Sequence, residues 1–202
     1  MLLRCPNGRK SRNPGKFSYR GSGKNIPNRV DIDFRMKEAN DRSQLGHFEA
    51  DTIESKRIKG KQSGCLTVMV DRLSRKTFIR KTVSKTSQAT TASIVKILKP
   101  LINNINSITY DNGCEFSQHE KINKMLNIKS FFCKPYASYE KGTVENINGL
   151  IRRFFPKGTD FDTISEEEIA YVESWINNRP MKILNYMTPE QVFQIHSVAI
   201  AS

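Results

Sequence analysis

The sequence predicts an α/β fold in which a mixed sheet of five strands is flanked by helices. Two observations support this prediction. From Gly46 onward, short segments that alternate or are largely apolar are interspersed with longer segments of helical spacing. Three of the strand-like segments follow one another, whereas the last two are each preceded by a helix-like segment. A length of 202 residues suits one domain with a sizeable core plus an extension.

The first three strands are predicted from local patterns. Residues 47–53 alternate, which places Glu49 and Asp51 on the same face of the first strand. Residues 65–70 are almost entirely apolar and form the second strand. Residues 76–83 form the third, and the short connection between these two segments predicts a hairpin.

The next four elements alternate between helix and strand. Apolar residues at helical spacing predict a helix over residues 87–102, which Pro100 ends or kinks. Residues 105–110 form the fourth strand, residues 114–126 a helix and residues 128–133 the fifth strand.

A loop at residues 134–142 precedes a predicted helix over residues 143–155. The apolar stripe of this helix leaves Glu145, Asn148 and Arg152 together on another face.

Two more helices complete the chain. The first of them covers residues 165–178 and begins with a capping box formed by Ser165 and Glu168. The other is short and starts at Thr188 as cap, with Pro189 in its first turn.

The charge of the chain predicts a polyanionic partner, either DNA or RNA. The formal net charge is +13, from 33 Lys and Arg against 20 Asp and Glu. Residues 1–45 hold eleven of these bases and four of the acids, with little periodicity. We predict a flexible basic arm that lies along phosphates there, with a simple linker as the alternative, and a catalytic domain over residues 46–202.

Other classes of protein fit the sequence poorly. The four cysteines form no CxxC pair, so we expect reduced thiols and no zinc site. No run of 18 apolar residues or signal peptide is present, so we expect a cytoplasmic, nucleoid-associated protein with no membrane partner.

Three acidic residues from separate elements suggest a metal site. Asp51 lies on the first strand, Asp111 follows the fourth, and Glu145 begins a helix. Carboxylates that meet at one sheet edge can hold the Mg²⁺ or Mn²⁺ ions, often two, that phosphodiester chemistry requires. Taken alone, Asp111 can instead be a turn former before Asn112-Gly113, and Glu145 an ordinary first-turn glutamate. Four further acids compete for such a role: Glu49, Asp71, Glu115 and Glu140, of which Glu115 is expected to be solvated.

Four segments resemble the insertion-sequence transposases of the IS30 family, which belong to the DDE integrase-core group. They are Gly46-His-Phe-Glu-Ala-Asp51-Thr-Ile, Asp111-Asn-Gly-Cys-Glu-Phe, Pro135-Tyr-Ala-Ser-Tyr-Glu-Lys-Gly-Thr-Val-Glu145-Asn-Ile-Asn-Gly-Leu-Ile-Arg and Asn177-Asn-Arg-Pro-Met-Lys. The resemblance covers about residues 26–194 and includes the 33 residues between Asp111 and Glu145, a spacing for which this family is known. It implies a ribonuclease H-like fold.

The resemblance also implies the roles of individual residues. Asp51, Asp111 and Glu145 would form the catalytic, metal-binding triad. Glu49 would lie next to the triad without binding the metal itself. Two Mg²⁺ or Mn²⁺ ions would serve cleavage and joining of DNA, at element ends and target DNA, by a homo-oligomer. We expect Lys141, Asn148 and Arg152 to grip the DNA backbone, with ordinary helix-surface polarity as an equal alternative.

One departure from the family leaves a rival function open. Family members usually carry an N-terminal helix-turn-helix region, and nothing before Gly46 resembles one. We therefore expect a catalytic core that is truncated at its N-terminus. The rival is a non-catalytic DNA-binding or regulatory fragment of a transposase, and a nuclease that cuts without joining is a third hypothesis.

Overall fold

A computed structural model of the protein describes residues 26–56, 64–135 and 137–201. Five strands form one sheet in the order β3-β2-β1-β4-β5, so the predicted number of strands is confirmed. The strands are β1 (His47–Glu54), β2 (Cys65–Asp71), β3 (Thr77–Thr82), β4 (Ser107–Tyr110) and β5 (Lys129–Phe132).

The sheet is mixed, as predicted. β1, β2 and β3 pair antiparallel, and Asp51 of β1 lies opposite Val68 of β2. On its other side β1 pairs parallel with β4, where Glu49 lies opposite Thr109, and β4 pairs parallel with β5. β1 is therefore the strand at which the antiparallel and parallel halves of the sheet meet.

Six helices accompany the sheet within the described residues, and the predicted helices are found with adjusted limits. Residues 87–102 are helical only to Leu98, after which a 3₁₀ turn that contains Pro100 follows. The helix predicted from residue 114 is interrupted, because Cys114–Phe116 form a separate 3₁₀ turn. The last helix has 13 residues and is longer than expected. The helices are α1 (Lys37–Asp41), α2 (Ser87–Leu98), α3 (His119–Leu126), α4 (Gly142–Phe154), α5 (Glu166–Asn177) and α6 (Pro189–Ala201).

The two faces of the sheet carry separate apolar cores, because successive side chains of a strand point to opposite sides. Phe48 and Ala50 of β1 pack in a cluster with residues of α2, α3 and α6. Ile53 of β1 belongs to the cluster on the opposite face, which includes residues of α4 and α5. The second face places α4 over β1 and β2, and this arrangement positions the candidate site.

Residues 26–45, the second part of the predicted arm, pack against the sheet. Asp31 forms a parallel bridge with Phe132 of β5, and Ile32, Ala39 and Leu45 are buried. Residues 1–25 of the predicted arm lie outside the described residues, so an arm there stays a prediction.

In the ranges that the structure describes, no helix has both the length and the apolar character needed to cross a bilayer. Three cysteines in these ranges, Cys65, Cys114 and Cys133, are free.

Candidate active site

Two of the three predicted catalytic carboxylates lie at one edge of the sheet. The parallel pairing of β1 with β4 carries Asp51 and Asp111 to neighbouring positions, two residues beyond the pair Glu49 and Thr109. The ammonium of Lys141 lies between them, with Nζ 3.5 Å from Asp51 Oδ1 and 3.2 Å from Asp111 Oδ2. The sequence-predicted pair is thus assembled around a positive charge.

Lys141 is buried at this position, with 5% of its surface exposed. Its Nζ also donates a hydrogen bond to the carbonyl oxygen of Ala50, at 3.1 Å. Burial disfavours the charged ammonium, but Asp51 and Asp111 outweigh this effect, so the pKa of Lys141 is raised and the side chain stays protonated. The sequence pattern predicted contact of this lysine with the DNA backbone, whereas here it neutralises the two carboxylates.

Asp51 is held by donors from two elements. Its Oδ1 accepts a hydrogen bond from the backbone amide of Thr52 at 2.8 Å, and its Oδ2 accepts one from Asn148 Nδ2 at 2.8 Å. Burial raises the pKa of this carboxyl, Lys141 opposes that rise and Asp111 adds to it. Asn148 Oδ1 is buried without a hydrogen-bond partner among the described residues. Asn148 therefore contacts a predicted catalytic carboxylate directly and offers a spare oxygen beside it.

Asp111 forms the turn predicted from its sequence context and also contacts the cluster. Its Oδ1 accepts a hydrogen bond from the amide of Gly113 at 2.9 Å, which is the turn expected for Asp before Asn-Gly. Its Oδ2 faces Lys141, and 42% of the side chain is exposed. One oxygen thus fixes the turn while the other remains directed to the cluster.

Glu145, the third predicted carboxylate, belongs to α4 and does not join this pair in a metal-holding group among the described residues. It is an exposed residue in the first turn of α4, three positions before Asn148 and hence on a similar side of the helix. Within residues 26–56, 64–135 and 137–201, no three His, Cys, Asp or Glu side chains form a group that could hold a metal ion. The structure therefore brings Asp51 and Asp111 together, but among the described residues Glu145 does not complete a metal-holding group with them.

Arg152 is occupied by contacts within the chain. Its Nη2 donates to the carbonyl oxygen of Glu54 at 2.8 Å, and its guanidinium lies 5.7 Å from the ring centre of Phe161. Further contacts of Nη1 reach the carbonyl oxygens of Phe155 and Pro156. These contacts tie the end of α4 to the end of β1.

Glu49 lies behind the cluster and fixes the start of α4. Its side chain is fully buried and forms an ion pair with Arg72, whose Nε donates to the carbonyl oxygen of Ala39 at 2.7 Å. The second oxygen of Glu49 accepts a hydrogen bond from the amide of Val144 at 2.9 Å. No side chain at the helix's own N-cap position satisfies such an amide, so a residue of β1 caps α4 from outside.

Glu115 is buried, so the prediction that it is solvated is wrong. Its Oε1 accepts a hydrogen bond from the Thr52 hydroxyl at 3.0 Å and lies 3.0 Å from Lys85 Nζ. A Cβ on Gly113 would lie 2.5 Å from Glu115 Oε2 and 2.9 Å from Asp111 Oδ1. Gly113, which lies between Asp111 and Glu115 in the sequence, was the signal that could have predicted the burial of Glu115. Only glycine lets both carboxylates approach this turn so closely.

Residues 41–138 match the model of the integrase core domain family. The chain is 40% identical over 199 residues to the transposase for insertion sequence element IS4351 of Bacteroides fragilis, covering 96% of this chain and 60% of that protein. It is 32% identical over 171 residues to transposase InsI for element IS30C of Escherichia coli strain K12, covering 84% and 43%. The chain thus spans about half the length of the curated relatives that it matches.

Solved structures of retroviral integrases share the fold. The HTLV-2 integrase catalytic core domain, solved in complex with magnesium, aligns with a TM-score of 0.57 at 21% identity, covering 74% of this chain and 97% of that chain. The catalytic core domain of BIV integrase aligns with a TM-score of 0.61 at 16% identity, covering 78% and 99%. At such identities the likeness concerns the fold, and it confirms the predicted ribonuclease H-like architecture.

Proposed function

Because this chain carries an integrase core domain and is homologous to insertion-sequence transposases, we propose that it is a transposase catalytic core that cleaves and joins DNA phosphodiester bonds. The observation that carries the proposal is the pair Asp51 and Asp111, which two parallel neighbouring strands bring to one cation at the sheet edge. A formal charge of +13 favours a polyanionic substrate.

The oxygen donors of this cluster are of the type that takes a divalent ion such as Mg²⁺ or Mn²⁺. Asp51 and Asp111 both contact the ammonium of Lys141, and Oδ1 of Asn148 beside them has no partner among the described residues. Oxygen ligands of this kind are those that Mg²⁺ prefers. We propose that Asp51, Asp111 and Glu145 hold two such ions, which would supply activation of the attacking hydroxyl and charge neutralisation at phosphorus. Glu145 is included in this proposed ligand set because it lies about one helical turn before Asn148, the residue of α4 that contacts Asp51.

The remaining side chains position the carboxylates and the substrate. Asn148 orients Asp51 through its amide, and Lys141 supplies a buried positive charge where a substrate phosphate would approach. Both are therefore proposed DNA contacts in the active complex. Arg152 is engaged with backbone carbonyls at the end of β1, so its role as a DNA contact stays a prediction.

The catalytic proposal is tested by three isosteric substitutions that remove charge. Asp51→Asn, Asp111→Asn and Glu145→Gln should each reduce Mg²⁺-dependent cleavage of a labelled DNA duplex by at least about 100-fold, because each removes a proposed ligand. DNA affinity measured in EDTA should stay within about two-fold. Glu166→Gln, which changes an exposed first-turn glutamate of α5, is the matched control for Glu145.

Each of the three variants tests its own residue independently of the others. Cleavage close to the unsubstituted level in one variant removes that residue from the triad. Loss of cleavage in the Glu166→Gln control would show that the assay responds to charge in general and not to the site.

A non-catalytic DNA-binding or regulatory role is the second candidate. The observation that favours it is the ammonium of Lys141, which already neutralises Asp51 and Asp111, while the described residues form no metal-holding group of three such side chains. This role requires DNA binding without any Mg²⁺- or Mn²⁺-dependent cleavage or joining. Isothermal titration with Mn²⁺ alongside the cleavage assay separates the two roles, because an inert chain that binds Mn²⁺ supports the second.

We also propose self-association on DNA and, as its setting, the nucleoid of the cytoplasm. Among the structures that share the fold, the HTLV-2 integrase core occurs in dimeric and trimeric forms, and a simian T-cell lymphotropic virus relative belongs to an intasome. Tyr171 and Trp175 of α5 are partly exposed aromatic residues that a second copy could cover. Light scattering of the chain with and without duplex DNA would measure this, and a single mass for one chain under both conditions would contradict it.

A further inference from the structure

A cavity of about 180 Å³ lies beside the N-terminus of α4 and the β2–β3 turn. Its wall includes Arg42, Arg75 and residues of the first two turns of α4, namely Gly142, Thr143 and Asn146. None of the contacts that define the carboxylate cluster uses these side chains. The proposed catalytic chemistry therefore leaves this cavity without a role.

The polar groups of the wall are predominantly hydrogen-bond donors. Arg75 Nη1 and Arg42 Nη2 both donate to Thr143 Oγ1, at 2.9 and 3.3 Å. The Thr143 hydroxyl thus accepts two hydrogen bonds, and none of the described contacts uses its own hydrogen. Asn146 adds a side-chain amide, and no acidic side chain among the described residues belongs to the wall. A cavity lined in this way suits a ligand made of acceptors.

The two guanidinium groups at the cavity form no salt bridge within the described ranges, and the carboxylates whose charge acts on Arg75, those of Glu49 and Asp71, are not part of the wall. Neither Arg42 nor Arg75 forms an ion pair there, although Arg75 is buried with 5% of its surface exposed and its Nε lacks a hydrogen-bond partner. Burial lowers the pKa of Arg75 to about 10, and the nearby charge of Arg42 contributes to this shift. The N-terminus of α4 lies at the same place: Glu49 caps the amide of Val144, while Gly142 and Thr143 line the cavity. Two guanidinium groups, one of them buried with an unpartnered Nε, attract an anion.

We propose that this cavity binds a phosphate group of the DNA backbone. The choice of DNA as the source of the phosphate rests on the proposed function, whereas the chemistry of the site requires only a phosphate oxyanion. Guanidinium groups, a hydroxyl and helix amides are the usual donors to phosphate. Because Thr143 stands two positions from both Lys141 and Glu145, a phosphate bound here fixes the start of α4 beside the catalytic cluster.

The first experiment uses inorganic phosphate as the probe. Thermal unfolding of the chain is followed in EDTA with increasing sodium phosphate, against sodium chloride at equal ionic strength. Phosphate should raise the melting temperature more than chloride does, because it binds only the folded state. Arg42→Gln and Thr143→Val should each remove most of this difference. The matched control is Lys124→Gln, an exposed lysine of α3 on the opposite face of the sheet, which should keep it.

Arg42 is preferred to Arg75 for this test because Arg75 is buried and its loss could prevent folding. Equal effects of phosphate and chloride on the unsubstituted chain would overturn the site. A full phosphate effect in both Arg42→Gln and Thr143→Val would overturn it equally.

The second experiment identifies the source of the phosphate. The affinity for a DNA duplex is measured at several salt concentrations, and the slope of log K against log salt should become shallower by about 0.9 in Arg42→Gln, the value for one lost phosphate contact. The slope should not change in Lys124→Gln. A phosphate response that Arg42→Gln abolishes without any change of slope would assign the site to a free phosphate and overturn the DNA proposal.

This site and the catalytic proposal fail in different ways. Asp51→Asn should lose cleavage yet keep the phosphate response, because Asp51 is not part of the cavity wall. A chain that responds to phosphate but never cleaves DNA would overturn the catalytic function alone. A chain that cleaves DNA without any phosphate response would overturn this site alone.

Discussion

Lys141 carries the single positive charge that the carboxylate pair contacts among the described residues, so its removal should expose the repulsion between Asp51 and Asp111. Lys141→Met should lower the free energy of unfolding in EDTA by roughly 1–3 kcal/mol, a value reduced because Asp111 is partly exposed. Added Mg²⁺ should stabilise this variant more than the unsubstituted chain, in which the ammonium competes for the same oxygens. Urea unfolding with and without Mg²⁺ measures both effects.

Lys124→Met, which changes an exposed lysine on α3, is the control for the loss of a positive charge. An equal loss of stability in the control, or the same gain from Mg²⁺ in both proteins, would show that Lys141 does not compete with a cation.

His47 predicts how stability responds to acid. Burial lowers the pKa of this imidazole to about 4, and Nδ1 shares a 2.7 Å hydrogen bond with Ser107 Oγ. The unfolded chain therefore binds a proton near pH 6.5, whereas the folded chain binds it only near pH 4. The stability contributed by neutral His47 is complete above about pH 6.5 and is lost as the pH falls towards 4, up to about 3 kcal/mol.

The measurement compares unfolding free energies from pH 7 to pH 4 with those of His47→Gln, which keeps hydrogen-bonding groups but does not titrate. The difference between the two proteins should shrink with acidification. A constant difference across this range would contradict the prediction.

The sequence predicted that Asp51 and Asp111 lie close together, but it did not predict the other contacts of this cluster. Asp51 and Asp111 meet as expected: local patterns place them on β1 and after β4, and the pairing of these two strands, which local patterns do not specify, makes them neighbours. Lys141 and Glu115 reach β1 because the 3₁₀ turns that contain them fold back towards that strand. The spacing of apolar residues in a helix does not predict how a neighbouring turn folds. An apolar stripe tells which residues of α4 are buried, but not which neighbours its polar face meets.

At the scale of elements, α4 depends on β1 through Glu49. Glu49→Gln removes the charge that pairs with buried Arg72 and weakens the acceptor for the Val144 amide. Because it leaves a buried guanidinium unpaired, the substitution should cost roughly 3–5 kcal/mol of unfolding free energy. The Val144 amide should also exchange with solvent faster, as amide hydrogen exchange would measure.

Glu120→Gln on α3 is the control, since that glutamate is exposed. A cost below about 1 kcal/mol for Glu49→Gln would show that the ion pair and the external cap contribute little.

The elements themselves were largely predictable from the sequence. All five strands lie within two residues of their predicted limits, because alternation and apolar runs mark buried strands directly. The capping box of Ser165 and Glu168 is present in α5, as a local hydrogen-bond pattern should be. The order of the strands was not predictable in this way, because pairing between distant strands depends on the packing of the whole domain.

At the scale of the whole molecule, the first 25 residues hold seven Lys and Arg and no acidic residue. Residues 26–45 have equal numbers of acids and bases, so the entire net charge of the predicted arm lies before them. Deletion of residues 2–25 should make the salt dependence of DNA affinity shallower by several times 0.9, roughly one step per lost phosphate contact. Fluorescence anisotropy of a labelled duplex measures the slope.

A deletion that extends to residue 40 is the informative contrast. It also removes the buried side chains Ile32 and Ala39, so it should lower stability as well as affinity. An unchanged slope after the shorter deletion would show that residues 2–25 serve only as a spacer.

The position of β1 between two kinds of pairing sets an order for folding. β1, β2 and β3 form a meander of local contacts, whereas β1 and β4 join His47 to Ser107 across 60 residues. Since closing a long loop costs more entropy before its contacts form, the meander should assemble first. Asp51 and Asp111 would then become neighbours only after the meander has formed, so a chain that is still emerging from the ribosome would lack the proposed metal-binding pair. Pulse-labelled hydrogen exchange during refolding would detect this as protection of β2 amides before those of β4.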